Sequence, residues 1–149
     1  MTDPPAFHFG PDPDNPGWHS WRLIDASRYN AFFEPLIARR EGELARVRMT
    51  PRRQHSNLAD AVHGGATLGF IDVALFAACA VFDLDTEGVA VTLDLSTQFI
   101  GAGQIDVPLD AEVECLRETG RLIFMRGLVV QGDARIAAFS GTIRKGRRT

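Results

Sequence analysis

Hydrophobic and polar residues alternate along five stretches of the chain, and one long stretch between the first two is hydrophobic on every side. The alternation has the period of two that is typical of strands with one buried face, and it runs through residues 43–50, 89–99, 106–117, 122–131 and 135–144. Residues 64–82 contain one charged side chain, Asp72, and predict a long buried helix. Short turns separate the last four strands, so we expect these strands to have antiparallel neighbours.

These elements predict an α+β fold in which a long central helix is wrapped by a curved antiparallel β-sheet. A helix that is hydrophobic on every side must be enclosed, and a curved sheet can enclose it within a short chain. Such a sheet leaves unpaired edges and a second face, so we expect a partner subunit to cover one of them. A membrane span over residues 64–82 is disfavoured because an aspartate lies at its midpoint and no basic residues flank it.

The N-terminal region differs in composition from the rest of the chain. Five of the eight prolines fall within the first 16 residues, which excludes a helix or a central strand there. We expect residues 1–29 to form an extended proline-rich arm, with Trp18 and Trp21 packed on the domain or on a partner. Residues 30–149 then form the domain itself. At its start, an asparagine cap and a short apolar stripe predict a short helix over residues 30–40.

Composition and charge narrow the possible classes of function. The chain has 149 residues, 45% of them hydrophobic, and a net charge of −3, which fits one globular domain and gives no reason to expect a nucleic-acid partner. The two cysteines lie 36 residues apart and exclude a disulfide scaffold and a cysteine-rich zinc site. Residues 1–5 have neither the basic nor the apolar region of a secretory signal peptide, so we expect a cytoplasmic protein.

Common cofactor and metal motifs are absent from the sequence. It lacks a phosphate loop, a Gly-x-Gly-x-x-Gly turn, a Gly-x-Ser-x-Gly elbow and a His-Glu-x-x-His pair. The histidines that form no credible metal set are His8, His19, His55 and His63. We therefore expect no metal and no cofactor, and the sequence disfavours serine-hydrolase, nucleotide-dependent and metalloenzyme chemistry.

A pair of glycines opens the long helix. Gly64 and Gly65 lack the Cβ atoms that would keep a ligand away, and the first N–H groups of a helix are unpaired at the positive end of its dipole. Such a position can polarise a thioester or ester carbonyl and stabilise its tetrahedral intermediate. Two glycines can equally well make a tight entry turn into a helix and nothing more.

Asp72 is a charged residue in the middle of an otherwise apolar helix. Burial of Asp72 is costly unless the side chain is paired or faces a wet cleft, so it is either a functional group or a core aspartate held by a backbone amide. Because a helix rises about 1.5 Å per residue, Asp72 lies about 10 to 12 Å along the axis from the two glycines. One small reacting group cannot touch both positions. We therefore predict composite sites, in which the glycine end of one subunit meets the aspartate of another.

Three residues near these groups have two interpretations each. His63 is either an acid or base or a cap of the helix, and Asn57 either positions water or a carbonyl group or forms a turn. Thr92 is predicted on the strand face that carries Asp94, which is either the wall of a cleft or solvated surface. The basic residues 144–148 form either a solvated end or a contact with a phosphate-bearing ligand.

Together, these residues resemble a known family. The segment from Asn57 to His63-Gly64-Gly65, the aspartate nine residues after the histidine and the strand Val-Thr-Leu-Asp-Leu-Ser-Thr-Gln-Phe-Ile are similar to the hotdog-fold acyl-CoA thioesterases, in the phenylacetic-acid-degradation thioesterase branch. The similarity covers about residues 40 to 146, with the elements in the expected order.

The resemblance implies hydrolysis of acyl-CoA thioesters, without metal or cofactor, by dimers that associate into tetramers. By position, the Gly64 N–H would polarise the thioester carbonyl with help from Asn57, and Asp72 of the facing subunit would act as nucleophile or general base. Thr92 would help to hold the attacking water, and His63 would shape the start of the helix. The residues expected to contact the substrate are Gly65, Leu68 and Phe76.

Two positions depart from the family pattern. Gly101-Ala102 stands where the family often has Arg-Pro, which puts the CoA carrier in doubt, and Asp60 stands where it often has glycine. Two rival functions stay open: a non-catalytic acyl-CoA binding module, and an enoyl-thioester hydratase, for which the paired aspartate and histidine on a helix are missing. Oligomerisation alone would leave the buried Asp72 without a purpose.

Overall fold

One helix lies against a sheet of eight strands in the computed structural model, which describes residues 4–86 and 88–147. Within those residues the helix, α1, spans Gly64–Val81. The strands are β1 (Phe7–Pro11), β2 (His19–Leu23), β3 (Leu36–Glu41), β4 (Leu44–Met49), β5 (Val91–Phe99), β6 (Leu109–Glu118), β7 (Leu122–Gln131) and β8 (Ala134–Arg144). Two short 3₁₀ helices, Tyr29–Phe33 and Arg53–His55, lie in the connections.

All the strands pair antiparallel, in the order β1-β2-β3-β4-β6-β7-β8-β5. β6, β7 and β8 are neighbours, as their short turns predict, but β5 pairs with β8 and not with β6. The reason is the length of the connections. Nine residues, 100–108, join β5 to β6, whereas three and two residues join the later strands. β5 is therefore an edge strand of the described sheet.

The sheet curves around α1 and buries most of it. On β4, Ala45, Val47 and Met49 face the core and alternate with arginines. α1 is long and apolar enough to cross a membrane, with a mean hydropathy of 1.8. Ten of its 18 residues are nevertheless buried inside the domain, which fits an enclosed core helix. The predicted α+β hotdog fold, a long helix wrapped by a curved antiparallel sheet, is confirmed.

One stripe of α1 is left uncovered by the sheet. Gly65 and Leu68 are exposed there, and Asp72 and Phe76 are half-buried. These positions are three or four residues apart and therefore lie on one face of the helix. The charged side chain of α1 thus lies on the face that the chain does not cover.

The N-terminal residues join the sheet as a hairpin. β1 pairs with β2, and β2 pairs with β3, which places the proline-rich segment at an edge and not in a central ladder. Trp18 and Trp21 are buried, and the guanidinium groups of Arg39 and Arg48 lie 4.3 and 4.7 Å from the centre of the Trp18 ring. Both tryptophans thus pack on the same chain. The boundary between an arm over 1–29 and a domain over 30–149 stays a prediction.

The short helix predicted over residues 30–40 is wrong. One 3₁₀ helix ends at Phe33, and β3 begins at Leu36. Pro35 lies between them. Because proline has no N–H and holds the preceding residue in an extended backbone, a helix cannot continue through it. Beyond the proline, buried and more exposed side chains alternate along the first part of β3, as in a strand.

Candidate active site

The two glycine N–H groups at the start of α1 differ in their hydrogen bonding. His63 is the N-cap, and its Nδ1 accepts a hydrogen bond of 2.8 Å from the Gly65 N–H. The cap interpretation of this histidine is therefore the one observed. Among the residues that the structure describes, no group accepts from the Gly64 N–H at the first helical position. Of the two glycines, Gly64 thus offers the N–H that a ligand would meet.

Asn57 organises the loop that leads into the helix. Its side-chain oxygen accepts hydrogen bonds from the Ala59 and Ala61 N–H groups, at 2.9 and 3.1 Å. Its backbone N–H donates to the Ala61 carbonyl oxygen at 2.8 Å. The turn-forming interpretation of Asn57 is therefore observed. Asn57 and His63 also line the same open cleft.

Asp72 and Thr92 form a polar pair on the open stripe of α1. The Thr92 hydroxyl donates a hydrogen bond of 2.5 Å to Asp72 Oδ1. Within the described part of the chain, no backbone N–H and no cationic side chain contacts this carboxylate. Asp72 is therefore not a core aspartate held by a backbone amide, and its other oxygen is available to a ligand or to water.

Thr92 reaches Asp72 because β5 contains a bulge. The pairing of β5 with β8 shifts its register between Thr92 and Asp94. The extra residue, Leu93, is 55% exposed, and it reverses the alternation of the strand. Thr92 consequently faces α1, as Leu95 does, whereas Asp94 is exposed. The prediction that Thr92 shares the face of Asp94 is wrong for this reason.

The predicted site residues come together as two groups. Gly64 and Asp72 are eight residues apart on one helix, which separates them by about 12 Å along its axis. Leu68 lies halfway between them and is 38% exposed, and Phe76 lies one turn beyond Asp72 and packs against the core. The two groups are thus the helix start and the pair of Asp72 and Thr92.

Tyr29 is a neighbour of this stripe that the sequence analysis missed. A Cβ atom added at Gly69 would lie 2.6 Å from the Tyr29 hydroxyl and 2.7 Å from Phe33 Cζ. Both rings therefore pack directly on the helix backbone, within one turn of Asp72. The available signal was the glycine itself, because a glycine inside a helix often marks the close approach of another group.

Replacement of Gly69 by alanine is expected to destabilise the fold, although alanine favours a helix by about 1 kcal/mol. Phe33 is 1% exposed, so its ring has little room to move away from the new methyl group. We expect a net loss of about 1–3 kcal/mol in the free energy of unfolding, measured by urea denaturation. Gly120→Ala is the control, because a Cβ there meets nothing within 4 Å. A Gly69→Ala protein as stable as wild type would contradict this packing.

The two cysteines are poor candidates for a nucleophile. Burial raises the pKa of the Cys79 thiol to about 12, and burial also raises the pKa of the half-buried Cys115. Both thiols therefore stay protonated at neutral pH. Among the described residues, no group of three or more His, Cys, Asp and Glu side chains is placed to hold a metal ion. Asp72 remains the candidate nucleophile or base on this surface.

The fold and the site together define the class of protein. The long helix is wrapped by a curved antiparallel sheet, starts at a glycine pair and carries a carboxylate on its open face, and these features are those of the hotdog proteins. The model of the thioesterase superfamily matches residues 60–138, which is more than half of the chain and includes Gly64, Asp72 and Thr92. The chain belongs to the thioesterase superfamily. No curated protein sequence matches it.

Several solved structures share the fold. A conserved protein of Pseudomonas aeruginosa is 25% identical, with a TM-score of 0.66 over 79% of this chain and 93% of its own. A hypothetical thioesterase of Streptococcus pneumoniae, solved with coenzyme A, is 20% identical, with a TM-score of 0.67 over 80% of this chain and 92% of its own. The Escherichia coli PaaI protein, from the phenylacetic acid degradation operon, is 23% identical, with a TM-score of 0.62 over 72% of this chain and 75% of its own. Family and neighbours together support a thioesterase-like activity in general terms.

Proposed function

We propose that this protein hydrolyses acyl-CoA thioesters to the free acid and CoA. The observation that carries the proposal is the half-buried carboxylate of Asp72, which accepts a hydrogen bond from Thr92 on the open face of α1. Membership of the thioesterase superfamily supports it, as does the coenzyme A in the Streptococcus pneumoniae structure. The likeness in fold to the Escherichia coli PaaI protein supports the phenylacetic-acid-degradation branch.

In the proposed mechanism, the Gly64 N–H and the Asp72–Thr92 pair act on opposite sides of one thioester. The Gly64 N–H donates to the carbonyl oxygen and stabilises the negative charge that develops there. Asp72 attacks the carbonyl carbon, or takes the proton of a water molecule that attacks it. On either route the C–S bond then breaks, and the thiolate leaves and takes up a proton. Attack by Asp72 itself leaves a mixed anhydride on its carboxylate, which a water molecule then hydrolyses to release the free acid and restore Asp72. Thr92 orients the carboxylate and the water, and the Asn57 amide supplements the Gly64 donor.

This arrangement requires two copies of the chain. Gly64 and Asp72 are about 12 Å apart on one helix, so each thioester would lie between Gly64 of one subunit and Asp72 of the other. Two surfaces next to the Asp72–Thr92 pair support a dimer: the uncovered stripe of α1, and the edge of β5, where Leu93 and Phe99 are 55% and 56% exposed. We further propose that the dimers form tetramers and that the protein acts in the cytoplasm.

Thiol release from a panel of short, medium, long and aryl acyl-CoAs tests the reaction. We expect at least one class to be hydrolysed, with one free acid formed for each thiol. The preferred chain length then follows from the space that Leu68, Phe76 and the partner subunit leave. A lack of thiol release from every substrate would contradict the proposal. Binding without turnover would favour the acyl-CoA binding module, and addition of water to an enoyl-CoA without thiol release would favour the hydratase.

Replacement of Thr92 by valine is expected to lower kcat by about tenfold to a hundredfold, because a hydrogen bond to a charged group contributes about 1.5–3 kcal/mol. Thr97→Val is the matched control on the same strand. The Thr97 hydroxyl is buried without a hydrogen-bond partner in the described structure, so its removal costs no hydrogen bond. Steady-state rates of thiol release compare the two variants. Equal rates for both would mean that the Thr92 hydroxyl does not assist Asp72.

A further inference from the structure

An exposed aromatic side chain, Tyr29, lies against the backbone of α1 beside the open stripe. A Cβ atom at Gly69 would lie 2.6 Å from its hydroxyl oxygen, so the glycine makes room for the ring. The rings of Tyr29 and Phe33 pack edge to face, with 5.3 Å between their centres. Burial in the core explains the position of Phe33, which is 1% exposed. It does not explain the position of Tyr29, which is 63% exposed.

Hydrogen bonds hold the 3₁₀ helix that carries Tyr29. His55 Nε2 lies 2.6 Å from the Phe32 carbonyl oxygen. The Arg52 guanidinium donates to the Glu34 carbonyl oxygen at 2.9 Å. His55 is itself held, because its Nδ1 accepts a hydrogen bond of 2.9 Å from the Arg52 N–H. The loop that leads into α1 therefore fixes the segment from which the Tyr29 ring projects.

Tyr29 and β5 flank the open stripe of α1 from opposite sides. On the side of β5, Phe99 Cε1 lies 3.5 Å from the position of a Cβ atom at Gly64. Gly64 and Gly69 are five residues apart, so they point about 140° apart around the helix axis, and the stripe lies between them. The stripe is therefore the floor of a groove, with the edge of β5 as one wall and the Tyr29 ring as the other. We call it the α1 groove.

The wall that Tyr29 forms is close to the carboxylate of Asp72. Gly69 is three residues before Asp72, and Cβ positions at this spacing on a helix are about 5–6 Å apart. The Tyr29 hydroxyl oxygen therefore lies within about 8–9 Å of the Asp72 Cβ atom. Thr92, which donates to Asp72, comes from the opposite wall. An acyl group whose carbonyl carbon meets Asp72 thus has the Tyr29 ring beside its first carbon atoms.

We propose that the Tyr29 ring limits the size of the acyl group that the α1 groove accepts. The inference rests on the proposed function, because it places a thioester at Asp72. Tyr29 supplies no group to the reaction; its ring fills the side of the groove into which a longer chain would otherwise extend. Tyr29 precedes residues 60–138, which the model of the thioesterase superfamily matches, so that match assigns it no role.

The kinetic test follows the ratio of kcat/KM for octanoyl-CoA to kcat/KM for propionyl-CoA. Tyr29→Ala is expected to raise this ratio about tenfold or more, because burial of two further methylene groups is enough for that factor. Tyr29→Trp enlarges the ring and is expected to lower the ratio. Tyr29→Phe keeps the ring and should keep the ratio of wild type, because no group in the described part of the chain forms a hydrogen bond with the hydroxyl.

Phe124→Ala is the matched control, because it removes an aromatic ring from the other face of the sheet. Its neighbours on β7, Ile123 and Met125, are buried against the core, so Phe124 points away from α1. We expect this variant to keep the ratio of wild type. Circular dichroism and thermal unfolding check that every variant is folded.

The order of the variants distinguishes a wall from a merely structural role. A wall requires the ratio to rise in Tyr29→Ala and to fall in Tyr29→Trp. An unchanged ratio in both variants would overturn the proposal, and so would a change in the same direction in both. An equal rise in Phe124→Ala would also overturn it, because the effect would then not come from the α1 groove.

Binding of thioether analogues separates this proposal from the proposed function. S-octyl-CoA and S-propyl-CoA lack the carbonyl group and are not hydrolysed, so calorimetric titration measures their affinities without turnover. We expect the ratio of the octyl to the propyl affinity to rise about tenfold in Tyr29→Ala. This result supports the wall even if no acyl-CoA is hydrolysed. Hydrolysis with unchanged ratios in every Tyr29 variant would overturn the wall and leave the proposed function standing. If the protein neither hydrolyses the thioesters nor binds the thioethers, both proposals fail.

Discussion

Replacement of Asp72 by asparagine is expected to lower kcat on acyl-CoA by about a thousandfold while the protein stays folded. The amide keeps the size of the side chain and can still accept the hydrogen bond from Thr92, but it is neither a nucleophile nor a base. KM should change little, because the substitution removes only the proposed nucleophile or base and leaves the substrate contacts in place. Initial rates of thiol release and thermal unfolding of both proteins measure the two effects.

Asp94→Asn is the matched control for this substitution. Asp94 lies two residues after Thr92 on β5 and is exposed, so the control removes the same charge close to the site without touching the carboxylate on α1. We expect its activity to remain close to that of wild type. An Asp72→Asn protein that is as fast as the Asp94→Asn protein would place the chemistry at another residue.

Replacement of Gly64 by proline is expected to lower kcat by about a hundredfold to a thousandfold, because proline removes the N–H that we propose as the donor to the carbonyl oxygen. Gly64 is the first helical position, where proline is well tolerated. His63 before it already has an extended backbone, with φ −62° and ψ 136°, as a residue before proline requires. The helix should therefore persist, which circular dichroism can verify alongside the rates.

Gly64→Ala isolates the effect of this donor. Alanine keeps the N–H, and its Cβ would lie 3.5 Å from Phe99 Cε1, an ordinary contact distance. Any loss that comes only from the added carbon atom is therefore shared by both variants. We expect Gly64→Ala to be at least about tenfold faster than Gly64→Pro. Equal rates for the two variants would show that the Gly64 N–H does not take part in the reaction.

The sequence predicts correctly those strands and helices whose hydrophobic periodicity fits only one type of secondary structure. β4 and α1 are where the periodicity places them, because alternation and a continuous apolar run each favour one structure over those lengths. The sequence did not predict the pairing of β5 with β8. The connection over residues 100–108 is long enough for β5 to pair with a strand other than β6, so its length does not identify the neighbour of β5. The prediction of a helix over 30–40 is wrong for a different reason. It followed the short apolar stripe and disregarded the proline within the segment, which a helix cannot include at that position.

Local geometry decided how much of the candidate site could be predicted. His63 and Asn57 act on the backbone next to them, so their roles as cap and turn former were among the interpretations that the sequence offered. The contact between Thr92 and Asp72 depends on a bulge at Leu93, and simple alternation gives the opposite face. Tyr29 reaches the helix only through the tertiary fold.

The central claim, that each site joins Gly64 of one subunit to Asp72 of another, is tested most directly by mixing two inactive variants. Asp72→Asn and Gly64→Pro subunits are unfolded together, refolded as a mixture and assayed for thiol release, with each variant refolded alone as the control. If the sites are composite, half of the dimers formed at random are mixed and each regains one intact site, so about a quarter of wild-type activity returns. If each site lies within one chain, the mixture stays as inactive as the separate variants, and that result would contradict the account.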